Sequence, residues 1–504
     1  MLQIQDIQTI ELFLDYLKKL NGAPMFIYQE KHYSYLQMSQ YTLSISQWLS
    51  KHNISALMFS ISNSPLSAGL FFASWRNNIK CIPVNPRFIA NELLGLIKRV
   101  KPDCVIVEPQ QLSDELTHYC QQHNIKIHVL EDPMVFLTEI KQNYFSDDIT
   151  LNYSVLEKKS EGITYHISSG TGGHYNFHGH YTHQILQYAY ARQFDYGLNK
   201  GDISLVHLSF NHAYAFSYQL LPNLALGNCM VLASAFEAKS SLRYITQHNI
   251  TALALLPTMY YQLCQESIQS GTPQHRLKHL SVAGDQPTDT LMKLVKKTFN
   301  TPLLNGLGMT EVYGYAQNLE EANQYNKLKL FHEVQIKLQP ISHDELNTRN
   351  RIDNNKQSIG EIYLKTAMQP ISHQDQWLPT GDYGYMDEAH NLYFLGRIKD
   401  IIVKGGSKIS PLELEHYLYQ MPHIKQVAVV GKADPFWGEI ICACILLNAN
   451  HFLTLETINL FLAPYLSSYK HIDEVHFYTH LPLNITGKID RYRLKRELHN
   501  EQSA

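Results

Sequence analysis

Short apolar runs with high strand propensity alternate with helical stretches through the N-terminal part of this chain. Between them, Met38, Ile45 and Trp48 share one side of an amphipathic helix predicted over Tyr35–Ser50. Alternation of this kind gives β-sheets covered by helices, so we expect an α/β fold with a large multi-sheet N-terminal domain. The apolar runs are Ile54–Ser60, Lys80–Val84, Cys104–Glu108, Ile203–Phe210, Cys229–Ser234, Thr251–Pro257 and His279–Gly284.

The last part of the chain is predicted to form a separate, smaller unit. A stretch rich in Asn, Asp and Arg, Ile341–Ser358, is expected to be a surface excursion. We place the boundary later, so that residues 1–396 form the first domain, residues 397–400 a connection and residues 401–504 a small α+β domain. Its expected strands are Gln426–Val430, Ile441–Leu447 and Glu474–Tyr478, and its expected helices are Pro411–Tyr419 and Leu455–Leu466.

Length, charge and cysteine usage exclude several classes of protein. A chain of 504 residues is too long for one ordinary core, and its net charge of −3 gives no sign of a nucleic-acid partner. Its seven cysteines contain no Cys-x-x-Cys pair, which is typical of reduced thiols in a cytoplasmic protein. We expect no signal peptide and no integral membrane segment, because no run approaches the ~20 apolar residues of a membrane span.

A run of small and hydroxylated residues follows the strand-like Gly162–Ile167. Small residues let successive backbone N–H groups point into one concavity, where they bind phosphate oxygens. The run lacks the Gly-Lys-[Ser/Thr] ending of a Walker A loop, and a flexible surface turn is the alternative. It reads Ser168, Ser169, Gly170, Thr171, Gly172 and Gly173.

A second motif contains a hydroxyl and a carboxylate side by side. Thr310 and Glu311 follow a glycine-containing turn and suit Mg²⁺ bound to a nucleotide phosphate. The alternative is a helix N-cap, the usual role of such pairs. The whole motif is Asn305, Gly306, Leu307, Gly308, Met309, Thr310 and Glu311.

Two further motifs contain charged residues. One supplies a carboxylate and an arginine, and the other supplies a lysine. Asp382 in Thr380-Gly381-Asp382, on a tight turn, suits both hydroxyls of a ribose, and Arg397 adds a fork of donors. A salt bridge at a domain edge is the alternative. Lys488, on a Gly-flanked turn, suits developing negative charge, the alternative being a solvated tail lysine.

In this order and spacing, the four motifs resemble the adenylate-forming family of acyl- and aryl-CoA ligases, which includes luciferases and peptide-synthetase adenylation domains. The resemblance covers nearly the whole chain. Ser169–Gly173 is similar to the family's phosphate loop, Leu307–Glu311 to its Tyr-Gly-x-Thr-Glu motif, and Lys488 to its C-terminal lysine. Asp382 and Arg397 resemble its ribose-binding pair, and Lys399–Pro411 its hinge and glycine-rich loop.

The resemblance implies an ATP- and Mg²⁺-dependent acid–thiol ligase with two half-reactions. A carboxylic acid becomes an acyl-adenylate with release of pyrophosphate, and a thiol, usually that of CoA, then displaces AMP. It implies that Lys488, Thr310 and Glu311 are catalytic, with Glu311 holding Mg²⁺. It further implies that the C-terminal domain rotates about a hinge at Lys399, and that Lys404, Gly405 and Gly406 line the channel for the thiol.

The resemblance also assigns parts of the acid and nucleotide pockets. His212 is similar to the family's Phe-His segment at the acyl pocket, where amino-acid-activating relatives carry an Asp that this chain lacks at Asn211 and His212. Amino-acid substrates are therefore disfavoured. Gly284 and Asp285 end the strand that would lie between the acyl group and adenine. The identity of the acid is not encoded in these motifs.

Three departures from the family pattern stand out. The phosphate loop continues as His174-Tyr175-Asn176-Phe177 without the usual Pro-Lys-Gly, so pyrophosphate loses a cation unless a neighbouring His supplies it. Leu307 replaces an aromatic residue that would stack on adenine, a contact worth about 1–3 kcal/mol elsewhere. The inserted segment of fatty acyl-AMP ligases is missing, which favours completion of thioester formation.

Alternatives remain open at this point. The acceptor is either CoA or the phosphopantetheine of a carrier protein, and the altered loop also fits a non-catalytic homologue that binds an acyl ligand or a partner. His174, His178, His180 and His183 invite a zinc hypothesis, which we disfavour because no Cys or carboxylate completes the set. The family resemblance allows an oligomer, and the charge balance leads us to expect no nucleic-acid partner.

Overall fold

The computed structural model describes residues 15–16, 18–145, 161–169, 175–233, 235–284, 287–318, 326–340, 359–448, 451–484 and 487–500. Over these ranges, every helix falls short of the length and apolarity that a membrane crossing requires. The expected surface excursion Ile341–Ser358 lies outside the described residues. The α/β fold, with a large multi-sheet N-terminal part and a smaller C-terminal part, is confirmed.

The strands form where the sequence predicts them, since each predicted apolar run contains one. In chain order they are β1 (Pro24–Tyr28), β2 (Lys31–Ser34), β3 (Ala56–Ser60), β4 (Lys80–Pro83), β5 (Cys104–Val107), β6 (Lys126–Val129), β7 (Ile163–Ser169), β8 (Tyr175–Tyr181), β9 (Ile203–Val206), β10 (Cys229–Leu232), β11 (Ala252–Leu255) and β12 (His279–Val282). They continue as β13 (Leu303–Met309), β14 (Tyr313–Asn318), β15 (Lys327–Leu330), β16 (Gln335–Pro340), β17 (Gly360–Lys365), β18 (Leu378–Met386), β19 (Asn391–Arg397), β20 (Ile402–Lys404), β21 (Ser407–Ile409), β22 (Ile424–Asp434), β23 (Gly438–Leu447) and β24 (Glu474–Phe477).

The helices cover the sheets with their apolar sides. The first begins after Ser34, whose side chain accepts a hydrogen bond from the Gln37 backbone N–H, and it buries Met38, Ile45 and Trp48 as predicted. The helices are α1 (Tyr35–Lys51), α2 (Pro65–Arg76), α3 (Ala90–Val100), α4 (Asp114–Gln122), α5 (Pro133–Tyr144), α6 (Thr182–Asp195), α7 (Ala213–Ala215), α8 (Leu221–Leu226), α9 (Ala238–Gln247), α10 (Pro257–Ser270), α11 (Asp289–Phe299), α12 (Pro411–Leu418), α13 (Leu455–Leu462) and α14 (Arg491–Asn500). A π-helical turn, Phe216–Leu220, joins α7 to α8.

Two sheets build the N-terminal part. One has six strands in the order β6-β5-β3-β4-β7-β8, parallel except for β8 at its edge. The other has thirteen strands in the order β16-β17-β18-β19-β15-β14-β13-β12-β11-β9-β10-β1-β2. Strands β9 to β12 run parallel, and their buried, apolar residues are typical of sheets covered on both faces.

Strand β13 belongs to two different pairings. Its first half, Leu303–Asn305, runs parallel to β12, and its second half, Gly306–Met309, runs antiparallel to β14. The parallel part of the large sheet therefore changes into its antiparallel part within one strand.

The C-terminal residues form their own five-stranded sheet, in which β24 lies beside β23. Cys442 and Cys444 are both buried on one face of β23 against Leu494 and Leu498 of α14, as their alternation predicts. All seven cysteines are buried thiols without disulfide partners.

Two ion pairs hold elements of this C-terminal unit together. Glu415 of α12 is buried, and its Oε1 and Oε2 each accept a hydrogen bond from Arg491 Nη2 at 2.8 Å. Its Oε1 also accepts one from the Val429 backbone N–H at 2.7 Å. Lys470 Nζ similarly donates to Glu413 at 2.7 Å.

Candidate active site

The candidate site lies where the parallel strands of the large sheet end. Segments that leave β9, β11 and β12 at their carboxyl ends contain His212, Leu256 and Gly284 in turn. Strand β13 pairs with β12 beside them, and of its two glycines Gly306 is half-buried and Gly308 is exposed. Crevices at the carboxyl ends of parallel strands are the usual place for ligands in such folds.

Lys488 extends from the C-terminal unit over Gly284. A Cβ atom placed on Gly284 would lie 3.2 Å from Lys488 Cε and 3.8 Å from its Nζ, and the φ of Gly284 is +92°. Any side chain at Gly284 would therefore displace the lysine. The turn that carries Lys488 is fixed by Asn484, whose Oδ1 accepts a hydrogen bond from the Lys488 backbone N–H at 3.1 Å.

The ammonium of Lys488 also acts on His212. Burial first, and the positive charge of Lys488 second, lower the pKa of His212 to about 4. His212 is therefore neutral at physiological pH, and its Nδ1 accepts a hydrogen bond from the Tyr214 backbone N–H at 3.2 Å. The structure thus brings Lys488, Gly284 and His212 together, although they are distant in the sequence.

A cavity of about 130 Å³ separates the two parts of the chain beside this lysine. Its walls include Tyr261 and Leu291 from the N-terminal part, and Lys488 and Tyr419 from the C-terminal unit. Thr290 Oγ1 donates a hydrogen bond to the Tyr419 backbone oxygen at 3.3 Å, which links α11 to the C-terminal unit. Lys488 therefore enters the site along the junction of the two parts.

Thr310 and Glu311 lie on the tight turn between β13 and β14. They do not begin a helix, so the N-cap alternative is wrong. The carboxylate of Glu311 remains partly exposed, with its Oε1 3.3 Å from His178 Nε2. A carboxylate that is accessible and tethered at one oxygen fits the oxygen ligands that Mg²⁺ prefers.

Strand β8 carries two histidines towards this turn. His178 Nε2 lies 2.8 Å from Ser168 Oγ, and His180 Nε2 lies 2.8 Å from the Glu311 backbone oxygen. Because a carbonyl oxygen only accepts, His180 carries its proton on Nε2. Burial lowers the pKa of His180 to about 4, and burial likewise lowers the pKa of His178 despite the opposing charge of Glu311.

These contacts give His178 and His180 a structural role that the sequence analysis missed. The signal was their alternation around Gly179, which places both on one face of a strand. The zinc hypothesis gains no support, because the described histidines of this segment join no group of metal-ligating side chains. The described part of the chain holds one such group, Cys442, Glu474 and His476, where Lys432 Nζ already pairs with Glu474 at 2.7 Å.

Asp382 and Arg397 face each other across β18 and β19. Arg397 Nε lies 3.4 Å from Asp382 Oδ1, and Tyr315 OH donates to Asp382 Oδ2 at 3.4 Å. Burial, opposed by Arg397, raises the pKa of Asp382 to about 6. Asp382 Oδ1 is buried and makes no hydrogen bond with the described residues, so a donor such as a ribose hydroxyl would satisfy it.

The surroundings of Asp382 differ from the predicted tight turn. Thr380, Gly381 and Asp382 all belong to β18, where Gly381 has a φ of +70°. This left-handed residue kinks the strand, since glycine adopts such a φ without steric cost. Thr380 Oγ1 then accepts a hydrogen bond from the Asp382 backbone N–H at 3.0 Å and fixes the carboxylate.

The remaining nucleotide residues divide into two groups. Asn305 is buried, and its backbone N–H donates to Asn318 Oδ1 at 2.6 Å, while the half-buried Leu307 packs against the cluster of Val312 and Tyr315. Ser168 and Ser169 end β7. The rest of the phosphate loop, Gly170, Thr171, Gly172 and Gly173, and also Asp285, lie outside the described residues.

The expected hinge and thiol-channel residues lie around β20, and the positive charge of Lys399 acts on Asp382, where it opposes the rise in pKa that burial causes. Lys399 is exposed on a 3₁₀ turn, Ile398–Asp400, between β19 and β20. Lys404 Nζ pairs with Asp473 at 2.7 Å, and the Gly405 backbone N–H donates to the Trp437 oxygen at 2.7 Å. Gly406 is exposed on the same turn between β20 and β21.

Comparison with known proteins gives matches over both parts of the chain. A family model described as AMP-binding enzyme matches residues 15–368, and another, described as AMP-binding enzyme C-terminal domain, matches residues 413–488. The 2-succinylbenzoate–CoA ligase of Bacillus pumilus is 25% identical over 485 residues, which cover 93% of this chain and 94% of that protein.

Solved structures share the fold. ATP-bound MatB from Rhodopseudomonas palustris matches with a TM-score of 0.83 at 18% identity, over 97% of this chain and 99% of that one. The o-succinylbenzoate CoA synthetase of Bacillus subtilis, in complex with its acyl-adenylate intermediate, matches with a TM-score of 0.77 at 19% identity. That match covers 96% of this chain and 97% of the synthetase.

Proposed function

The chain belongs to the AMP-binding enzyme family, and from this premise we propose that it is an AMP-forming acid–thiol ligase. It joins a carboxylic acid to ATP, giving an acyl-adenylate and pyrophosphate, and then transfers the acyl group to CoA. The observation that carries the proposal is the position of Lys488, which reaches over Gly284 to the neutral His212. The CoA ligase activity of the Bacillus pumilus relative supports it.

In the first half-reaction, a carboxylate oxygen attacks the α-phosphorus of ATP and the bond to pyrophosphate breaks. Negative charge develops between the two reactants, and the ammonium of Lys488 neutralises it. The neutral His212 beside it offers no competing charge. A preorganised charge of this kind stabilises the transition state without reorganisation during the reaction.

The nucleotide is held on the other side of β13. Asp382 accepts hydrogen bonds from the ribose hydroxyls through its unsatisfied Oδ1, and Arg397 keeps the carboxylate ionised. Glu311 and Thr310 would hold Mg²⁺, which neutralises phosphate charge when bound. His178 ties Ser168, at the end of β7, to Glu311. Ser168 and the proposed metal ligand Glu311 are thereby linked through one histidine.

In the second half-reaction, the thiol sulfur attacks the acyl carbon and AMP leaves. We propose that residues 401–504 rotate as a unit about residues 397–400, with Lys399 at the hinge, relative to residues 1–396. The exposed Gly405 and Gly406 would then let the backbone approach the thiol arm of CoA, with Lys404 beside it. Lys488 would leave the site in the same motion.

The reaction is proposed to take place in the cytoplasm. The seven cysteines are buried thiols and not disulfides, as expected for a protein that works in a reducing compartment.

The test is ATP–pyrophosphate exchange with a panel of short-chain, long-chain and aromatic acids, followed by measurement of AMP release with CoA. We expect exchange with one class of acid, and stoichiometric AMP release when CoA is added. If exchange occurs but CoA causes no AMP release, the acceptor in the second half-reaction would be a carrier protein and not CoA. An absence of exchange, together with no ATP binding in a calorimetric titration, would contradict the proposal and indicate a non-catalytic homologue.

A further inference from the structure

The space available to the acid is bounded by an aromatic residue that the reaction itself does not use. If Lys488 meets the carboxylate above Gly284, the rest of the acid must extend into the space between His212, Tyr214 and Gly306. His212, Tyr214 and Gly306 all retain partial exposure to this space. Tyr218 closes it from below, because a Cβ atom placed on Gly306 would lie 3.6 Å from Tyr218 Cε2.

Tyr218 is held firmly in this position. Its ring packs on Tyr196 with the centroids 3.8 Å apart, and its hydroxyl donates a hydrogen bond to Gln317 Oε1. It also stands in the π-helical turn Phe216–Leu220, a rare element that is frequent at functional sites. Rotation of the ring would break both contacts.

There is little free space around Tyr218. The cavity that it lines, together with Tyr196, Ser204 and Ser281 among others, measures about 20 Å³. A volume of this size holds about one water molecule. An acyl chain that passed Gly306 would therefore meet the ring and could not continue beyond it.

Four described side chains beside this space are uncharged near physiological pH. They are the neutral His212, Tyr214, Tyr218 and Ala283, whereas Lys488 is the cation that meets the reacting carboxylate. A second carboxylate or an ammonium group buried among these four side chains would find no opposite charge on them, which disfavours acids that carry one.

We propose that Tyr218 is the specificity-determining floor of the acyl pocket, and that the enzyme activates short, uncharged monocarboxylic acids such as acetate, propionate and butyrate. This inference rests on the proposed function and deepens it. Tyr218 is a steric boundary and takes no part in bond making. Its hydroxyl holds the ring through Gln317 and is not required by the substrate.

The experiment measures kcat/KM in ATP–pyrophosphate exchange for acetate, propionate, butyrate, hexanoate, octanoate and cinnamate. The wild-type chain is expected to prefer a short acid and to lose about tenfold or more with hexanoate and longer acids, as steric exclusion from a rigid pocket predicts. Tyr218→Ala is expected to move the preference to hexanoate or octanoate. Tyr218→Phe keeps the ring and should leave the order of acids unchanged.

A control variant and a second readout separate the possible outcomes. Tyr244→Ala removes a half-buried tyrosine of α9 and should leave the order of acids as in the wild type. Calorimetric titration with propionyl- and octanoyl-sulfamoyl adenosine, unreactive mimics of the adenylate, tests the pocket without turnover. We expect the propionyl compound to bind the wild type more tightly by about tenfold or more, and the difference to reverse in Tyr218→Ala.

The experiments distinguish an error in the proposed role of Tyr218 from an error in the proposed ligase function. Wild-type preference for octanoate or cinnamate, with tight binding of the octanoyl mimic, would overturn the role of Tyr218 and leave the ligase intact. No exchange with any acid and no binding of either mimic would overturn the proposed function. If Tyr218→Ala does not fold, the chain-length order of the wild type and of Tyr218→Phe still decides the question.

Discussion

Single residues in this site act through their surroundings as much as through their own chemistry. The proposed role of Lys488 depends on Gly284, which leaves room for its side chain, and on the uncharged His212 beside it. Asp382 is suited to a ribose because one of its oxygens is buried and unsatisfied among the described residues. Each feature depends on a neighbour that the sequence does not place nearby.

We predict that Lys488→Ala lowers the rate of acid-dependent ATP–pyrophosphate exchange by about 10²–10³-fold, the usual cost of losing one preorganised charge contact. The fold should be retained, because the side chain reaches into an open crevice, and circular dichroism checks this. Lys337→Ala, at an exposed position on β16, serves as the matched control and should exchange normally. Near wild-type exchange in Lys488→Ala would rule out this role for the lysine.

We predict that ATP binding weakens as the pH falls through about 6. Burial raises the pKa of Asp382 from 3.8 to about 6, so the free enzyme protonates this carboxyl below that pH. The ribose hydroxyls bind the ionised form, and so KM for ATP should rise on acidification and level off above about pH 7. Asp382→Asn should bind ATP more weakly at neutral pH and lose this pH dependence. If the pH dependence of KM for ATP were the same in Asp382→Asn as in the wild type, a group other than Asp382 would be responsible for it.

The alternation of apolar runs predicted most of the elements, but it did not predict how distant segments pair. Strand β8 escaped notice because Tyr175–Tyr181 is rich in histidine and aromatic residues and lacks a β-branched run. The Thr310–Glu311 turn resembled a helix start, since capping residues and hairpin residues overlap. The kinked strand β18 was predicted to be a turn, because a glycine such as Gly381 is typical of tight turns and of kinks in strands. In each case long-range strand pairing decided the outcome, and the local sequence, such as the alternation of His178 and His180 around Gly179, signalled it only weakly.

Helix α12 and helix α14 are tied by a buried ion pair, which permits a prediction about stability. Arg491→Ala would leave Glu415 buried without its cation, and we expect a loss of about 3–5 kcal/mol in the stability of the C-terminal unit. Urea denaturation followed by tryptophan fluorescence measures it. The matched control is Arg493→Ala, whose pair with Glu497 is exposed to solvent and should therefore contribute little to stability. Equal midpoints for the two variants would contradict the structural role of Arg491.

On the scale of the whole molecule, the two parts meet along a cavity and a few polar contacts, with Lys488 at the junction. This arrangement fits the proposed first half-reaction, which requires Lys488 in the site. The turn with Gly405 and Gly406, proposed for the second half-reaction, is exposed to solvent. A molecule that must present two different surfaces to one site benefits from a junction of this kind, which can open at small cost.

We predict that locking this junction separates the two half-reactions. Thr290→Cys and Tyr419→Cys together put one thiol on each side of the junction, at two residues joined by the 3.3 Å hydrogen bond from Thr290 Oγ1 to the Tyr419 backbone oxygen. Because the native cysteines are all buried, a reducible bifunctional thiol reagent should couple the new pair selectively. The cross-linked enzyme should keep pyrophosphate exchange and lose CoA-dependent AMP release, and reductant should restore it. Undiminished AMP release by the cross-linked form would contradict the proposed rotation.

The double pairing of β13 also bears on how such an enzyme can change its substrate in evolution. One end of the strand pairs with β12 beside the proposed space for the acid, and the other pairs with β14 and leads into the turn of the proposed Mg²⁺ ligands Thr310 and Glu311. In the proposed reaction, the backbone of this one strand therefore sets the distance between the two reactants. Replacement of side chains around the acid can alter which molecule is chosen, while the spacing between its carboxylate and the nucleotide is inherited unchanged.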